Sequence, residues 1–177
     1  MGIIKVTKSL LFLKETIDLS RGAFPYGVGI RDNNKSALVI YPTNDLFLFD
    51  GQMKAIKAIS GNQRLNLITF SDETHIPDIT DAAFSFDYPD DFAEYNSLFL
   101  YSSCMIFPDD NSWICLIDET FDFGVGILIA KDEILRDFSK YYDSRGDFEN
   151  LRKELERINP KKSDFLIENL KKIVLKP

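Results

Sequence analysis

The sequence predicts an α+β protein: a central, mostly antiparallel sheet flanked by N-terminal and C-terminal helices. Three observations carry that expectation. The apolar run Leu98 to Phe107 is answered by Trp113 to Ile117 across Pro108-Asp109-Asp110-Asn111, whose residue types suit successive turn positions. Phe123 to Ala130 supplies a further strand. From Ile134 onward the apolar residues recur instead at helical spacing. A chain of 177 residues is long enough for one domain, residues 1–177, with a real core. At 45% hydrophobic and 28% charged it is not globally disordered.

Residues 6–20 are predicted as a first helix. Val6, Leu10, Leu13 and Ile17 form one stripe, and Arg21-Gly22 supplies its stop. Pro25 to Arg31, the turn Asp32-Asn33-Asn34-Lys35 and Ser36 to Tyr41 read as a first hairpin, ended by Pro42. Asp45 to Phe49 is a short strand candidate. Met53 to Ile59 is a short helix, with Met53, Ile56 and Ile59 on one face and Gly61-Asn62 as its stop. Leu65 to Phe70 alternates as a strand. Residues 71–97 are irregular, with helical turns expected around Asp81–Phe84 and Asp90–Asn96; a long segment without periodicity is more often functional than connecting.

In the predicted Leu98–Ile117 hairpin, pairing Phe107 with Ser112 sets Ile106 against Trp113 and Cys104 against Cys115. Cys104, Ile106, Trp113, Cys115 and Ile117 then share one face, and Met105, Phe107, Ile114 and Leu116 the other. A strand pair apolar on both faces belongs inside a covered sheet. Three helical stripes close the chain: Ile134 to Tyr142, Phe148 to Ile158 after Asp147 as N-cap, and Phe165 to Ile173 capped by Ser163 or Asp164. The basic end of the last one, Lys171, Lys172 and Lys176, suits a helix dipole.

The charge is unevenly placed. Leu65 to Ala130 holds thirteen acids and no lysine or arginine, while the other fifteen acids share the rest of the chain with all 21 basic residues. The formal net charge of −7 is therefore −13 in this block and +6 outside it. A pI near 4.8 argues against a general nucleic-acid binder, which needs a basic face. No run approaches the ~20 apolar residues of a membrane span, and the start, Met1 to Lys5, has no signal-peptide layout. The expected location is cytoplasmic. Two cysteines, Cys104 and Cys115, fit a reducing compartment as small buried hydrophobes.

Motifs for chemistry are weak. One histidine, His75, and two cysteines outside CxxC spacing do not make a zinc site, and no calcium-loop pattern occurs. No catalytic residue, metal or cofactor is expected. Ser71-Asp72-Glu73-Thr74-His75 puts triad residue types in one loop, where triad geometry is rare. The two Gly-Val-Gly segments lack the rest of a nucleotide-binding loop. What remains is collective: acids interleaved with Phe84, Phe86, Tyr88, Phe92, Tyr95, Trp113 and Phe121, the makeup of a protein-binding surface. The electrostatic face expected is Asp87, Asp90, Asp91, Asp109, Asp110, Asp118, Glu119 and Asp122, with Tyr88, Phe92 and Trp113 as anchors. For Trp113 a place in the core is the stronger expectation.

Ser112-Trp113-Ile114, the acidic link Asp118-Glu119, the glycine-bearing strand Gly124 to Ile129 and a following helix with Phe138 give residues 98–142 a recognisable pattern. It resembles immunity proteins of bacterial contact-dependent growth inhibition, the polymorphic toxin systems. The resemblance implies a cytoplasmic protein without enzymatic activity that binds and neutralises the toxin domain of its own system. Such toxins are commonly nucleases with basic faces. It also implies a mode of binding by strand addition, for which segments 26–30 and 123–127 offer close backbone approach. The competing expectation is a small hydrolase, carboxylate- or metal-dependent, that uses clustered acids.

Overall fold

The computed structural model describes residues 2–18, 28–43, 50–69, 76, 78–88, 90–91, 103–118, 124–158, 160–161 and 163–174. In chain order these form β1 (Ile4–Ser9), α1 (Leu11–Thr16), β2 (Ile17–Asp18), β3 (Gly29–Ile30), β4 (Ser36–Thr43), α2 (Asp50–Ser60), β5 (Leu65–Thr69) and β6 (Ile79–Phe86). Then follow β7 (Cys104–Pro108), β8 (Trp113–Asp118), β9 (Gly124–Ala130), α3 (Asp132–Ser139), α4 (Asp147–Ile158) and α5 (Ser163–Val174). Seven strands make one antiparallel sheet in the order β1-β6-β5-β7-β8-β9-β4, and β2 pairs with β3 separately. The α+β expectation holds. No helix among the described residues is long and apolar enough to cross a membrane.

Every residue of β7, β8 and β9 is buried. Side chains alternate across a strand, so each of these strands must be covered on both faces. On one face Met105, Phe107, Ile114, Leu116, Ile127 and Ile129 meet Leu10 and Leu13 near α1, Leu151 and Leu155 of α4, and Ile167 and Leu170 of α5. On the other, Cys104, Ile106, Trp113, Cys115, Ile117 and Leu128 meet Ala55 and Ile56 of α2 and Phe138 of α3. Both faces of the predicted hairpin are thus composed as the sequence indicates.

Its register differs. Cys104 pairs with Ile117, Met105 with Leu116 and Ile106 with Cys115, two residues from the expected pairing. Pro108 still pairs with Leu65 of β5, and Asn111 closes the turn at φ 57°, its N–H donating to the Pro108 carbonyl at 3.0 Å. The loop between the paired residues is longer than a four-residue turn. A shift of two preserves side-chain parity, which is why the faces survive the error. The cysteines are not directly opposed; both are buried and neither is in a disulfide.

The N-terminal helix is corrected. Ile4–Ser9 is a strand, and only Leu11–Thr16 is helical. Leu10, Leu13 and Ile17 are buried as expected, but Val6 reaches the same core from a strand. Pairing with β6 overrides a helical spacing that rests on one turn. The first hairpin is also corrected. The turn forms, with the Asn34 N–H on the Asp32 carboxylate at 2.9 Å and the Lys35 N–H on the Asp32 carbonyl at 3.1 Å. Yet Gly29–Ile30 pairs with β2, and β4 pairs with β9 and runs past Pro42, whose peptide bond is cis.

Residues 79–86 are a strand rather than helical turns around Asp81–Phe84, because they pair with β1 and, through Phe84 to Phe86, with β5. The helix at Met53–Ile59 forms as part of α2, and Gly61 takes the left-handed cap at φ 60° with its N–H on the Lys57 carbonyl at 3.0 Å. The expected strand at Asp45–Phe49 and the run Leu98–Ser102 lie outside the described residues.

Asp147 opens α4, but its carboxylate turns away from its own helix. It accepts the Tyr41 N–H and the Tyr142 O–H, each at 2.9 Å. Burial raises this carboxyl above its usual value; the two hydrogen bonds offset that only in part, and the Asp143 carboxylate adds to it. A carboxyl with a raised folded pKa binds its proton more tightly when native. Its stabilising contribution is complete below the unfolded value of about 3.9 and is lost as pH rises through the folded value. Asp147→Asn is therefore expected to flatten that limb, compared by urea denaturation from about pH 4 to about pH 7; an unchanged slope contradicts the assignment. Trp113→Ala empties the largest fully buried site and is expected to cost about 3–5 kcal/mol in the same assay.

Candidate functional site

The sheet gathers part of the acidic block at one end. Leu65 begins β5 and pairs with Phe86, where β6 ends, and with Pro108, where β7 ends. The turns that leave β6 and β7 must therefore flank Gln63 and Arg64. This places Asp87, Asp90, Asp91, Asp109 and Asp110 around the entry to β5.

Arg64 organises that end. Its guanidinium donates to the Asp87 carboxylate at 2.7 Å, the Ser85 carbonyl at 2.8 Å, the Ser85 hydroxyl at 3.1 Å and the Gly2 carbonyl at 3.1 Å. A planar fork of five donors can hold several acceptors at once, which an ammonium cannot do in the same geometry. The backbone closes the same ring: the Asp109 N–H donates to the Arg64 carbonyl at 3.3 Å, and the Asp91 N–H to the Asp87 carbonyl at 2.9 Å. The Asp91 carboxylate in turn accepts the Asp87 N–H at 2.9 Å.

The β7–β8 turn is fixed from below and from the side. Asp109 accepts Lys8 Nζ at 2.7 Å and Asn66 Nδ2 at 2.9 Å. Phe12 packs edge-on against Phe107 with ring centroids 4.9 Å apart. The end of β1 and the start of α1 thus reach β7, three strands away in the sheet order. Asp110 exchanges hydrogen bonds with Gln63, its N–H donating to Oε1 at 2.8 Å and its carboxylate accepting Nε2 at 2.6 Å, and also accepts the Ser112 N–H at 2.9 Å. Burial alone would raise Asp109 and Asp110. The hydrogen bonds from Asn66 and Lys8, and from Ser112 and Gln63, outweigh it and hold both carboxyls below their usual value. They stay charged well into the acid range.

The remaining expected residues divide. Asp118 ends β8 at the opposite end of the sheet, four to five residues or roughly 15 Å along the strands, buried and accepting the Ser103 hydroxyl at 2.9 Å. It does not join the acidic turns, and as a buried residue it presents no charge to a partner. Tyr88 is corrected as an anchor, and Trp113 takes the core position expected for it rather than the anchor alternative: both are buried, at 3% and 0% exposure, in the core beneath α2 and α3. Burial also holds the Tyr88 phenol well above its usual value. The anchor Phe92 and the acids Glu119 and Asp122 lie outside the described residues, as does His75. Burial, with Cys104 alongside, raises the Cys115 thiol well above a reactive range.

The sequence reading missed Lys8, Gln63, Arg64 and Asn66. Gln63 and Arg64 stand immediately before the block, and Lys8 lies in a segment expected to be helical. Lys57, on α2, donates to the Tyr88 carbonyl at 3.1 Å. Five carboxylates against Lys8, Lys57 and Arg64 leave a formal excess of two negative charges at this end. Asp90, Asp109 and Asp110 are exposed; Asp87 and Asp91 are half-buried. Chemically, the end is a set of charged acceptors held in place by hydrogen bonds, suited to basic side chains. Among the described residues, no group of three or more His, Cys, Asp or Glu is placed to hold a metal ion.

The two cations are expected to matter unequally. The Lys8–Asp109 pair is 28% and 45% exposed, so Lys8→Ala should cost less than about 1 kcal/mol. Arg64→Ala strands a half-buried carboxylate and two buried acceptors at Ser85 and should cost about 1–3 kcal/mol. Urea denaturation of both variants compares them, and equal costs would remove Arg64 from its organising role. Asp109→Asn should show its full loss of stability relative to wild type above the unfolded carboxyl value of about 3.9, the difference fading as pH falls through the lowered folded value.

Comparison of the chain with family models, with curated proteins and with solved structures found no match.

Proposed function

We propose that the chain is an immunity-type inhibitor that binds and neutralises a cognate toxin domain, a nuclease with a basic face. The observation that carries this reading is the charge distribution: an acidic block set against a basic remainder in the sequence, five of whose acids gather on two turns at one end of the sheet. Fixed carboxylates on turns steer a basic partner and meet it without rearranging the core. The resemblance of residues 98–142 to immunity proteins points the same way.

Burial of Tyr88 and Trp113 changes the expected contact. Affinity would come from Asp90, Asp109 and Asp110 together with Gln63 and Asn111, not from those two rings. Strand addition at segment 123–127 does not fit an interior strand, since β9 lies between β8 and β4. Among the described residues β1 and β4 are the terminal strands of the sheet, so an added strand would pair at one of these two.

Stopped-flow association with basic nuclease domains of contact-dependent toxins tests the proposal. Asp90→Lys with Asp110→Lys should slow association about tenfold or more at low ionic strength, and the difference should shrink as the Debye length falls below about 10 Å. Association indifferent to both charge and salt would remove the acidic end from the interface.

A further inference from the structure

Between α3 and α4 the chain passes from one face of the sheet to the other. Phe138 of α3 is buried with Trp113 and Ile56 on one face, and Leu151 and Leu155 of α4 are buried on the other. The connector 140–146 makes this passage beside β4, where the Tyr41 N–H donates to Asp147 Oδ2 at 2.9 Å.

Tyr142 stands in the middle of that connector and touches both sides. Its hydroxyl donates to the same Asp147 oxygen at 2.9 Å and accepts Gln52 Nε2, from α2, at 3.1 Å. The other proton of that amide goes to the Pro42 carbonyl of β4 at 2.7 Å. The Tyr142 ring stands edge-on to Phe138 with centroids 5.9 Å apart. The backbone of α2 also lies against the connector. A Cβ at Gly51 would come within 3.2 Å of the Tyr141 carbonyl oxygen and 3.3 Å of the Tyr142 ring, an approach that suits glycine.

Gln52 is 1% exposed, yet its Oε1 has no hydrogen-bond partner among the described residues. Burying an amide carbonyl without a donor costs free energy that an apolar side chain would not. The two bonds donated by Nε2 work against that cost, so the fastening holds by a small net margin. We propose that Gln52 and Tyr142 form a strap that holds α2 and α3 down on the sheet, and that this layer is released at the strap while α4 and α5 stay in place. The eleven residues of α2 are too few to remain helical once its apolar side leaves the sheet. Release therefore shows as exchange of α2 amides.

Amide exchange in the full-length chain tests this, with Ile56 of α2 compared with Leu155 of α4. Tyr142→Phe keeps the ring on Phe138 and removes the hydroxyl. It should accelerate Ile56 exchange about fivefold or more and Leu155 exchange less than about twofold. Gln52→Ala should act alike from the other side. The double variant should accelerate Ile56 by less than the product of the two single effects, because the Gln52–Tyr142 bond is lost only once. Equal acceleration at Ile56 and Leu155 is a loss of global stability alone and overturns the strap. Unchanged Ile56 exchange, or single effects that multiply in full, overturns it as well. Should Gln52→Ala fail to fold, the ratio of the two amides in Tyr142→Phe decides alone.

Discussion

Burial of the sheet on both faces is the constraint from which the remaining architecture follows. β7, β8 and β9 have no polar face to leave in water, and each fully buried aliphatic or aromatic side chain contributes on the order of 1.5–3 kcal/mol. No single surface ion pair approaches the sum of such terms. Helices must therefore stand on both sides, and the chain supplies them from separate places: α1, α4 and α5 on one face, α2 and α3 on the other. The polar features sit at the ends of the strands because only there does the backbone leave the covered layer.

The acidic end illustrates how charge seen in a sequence is redistributed by folding. The block from Leu65 to Ala130 holds no cation of its own, yet Arg64, Lys8 and Lys57 arrive from outside it and engage its turns. Arg64 is one residue from the boundary. Lys8 is 101 positions from its partner Asp109. Part of the negative charge is thereby spent on internal order, and what remains exposed is a smaller, firmer surface than the composition implies. Asp118 shows the other outcome, a carboxylate withdrawn from solvent and bonded to Ser103.

Legibility followed physical scale. The central hairpin and β9 were readable because a strand apolar on both faces has few alternatives, and α2 because its stripe ends in a glycine that takes the left-handed cap. The faces of β7 and β8 survived a register error, since parity depends on sequence alone while register depends on the loop and on β5. The N-terminal segment was misread because Val6, Leu10, Leu13 and Ile17 suit a helix by spacing, whereas the decision belongs to β6, more than seventy residues away. The acids of the site were visible and their grouping was not: that Asp87 and Asp109 share an end is a property of β5 lying between β6 and β7. Anchors failed for a related reason. Aromatic residues among acids look like an interface, but Trp113 and Tyr88 have more apolar area to lose from water than any other role would recover.

The placement of the two cysteines has a practical consequence. Cys104 and Cys115 lie in adjacent central strands, outside any disulfide and beyond the reach of solvent. A thiol-modifying reagent can meet them only when the α2–α3 layer lifts from the sheet or the sheet itself opens, and loosening of α1, α4 or α5 on the other face would leave them silent. The chain thus carries its own reporter of opening on that face of the sheet. The rate at which its thiols become labelled, at reagent concentrations where opening and closing equilibrate, reads the stability of the α2–α3 cover on the central strands without denaturant or any introduced probe.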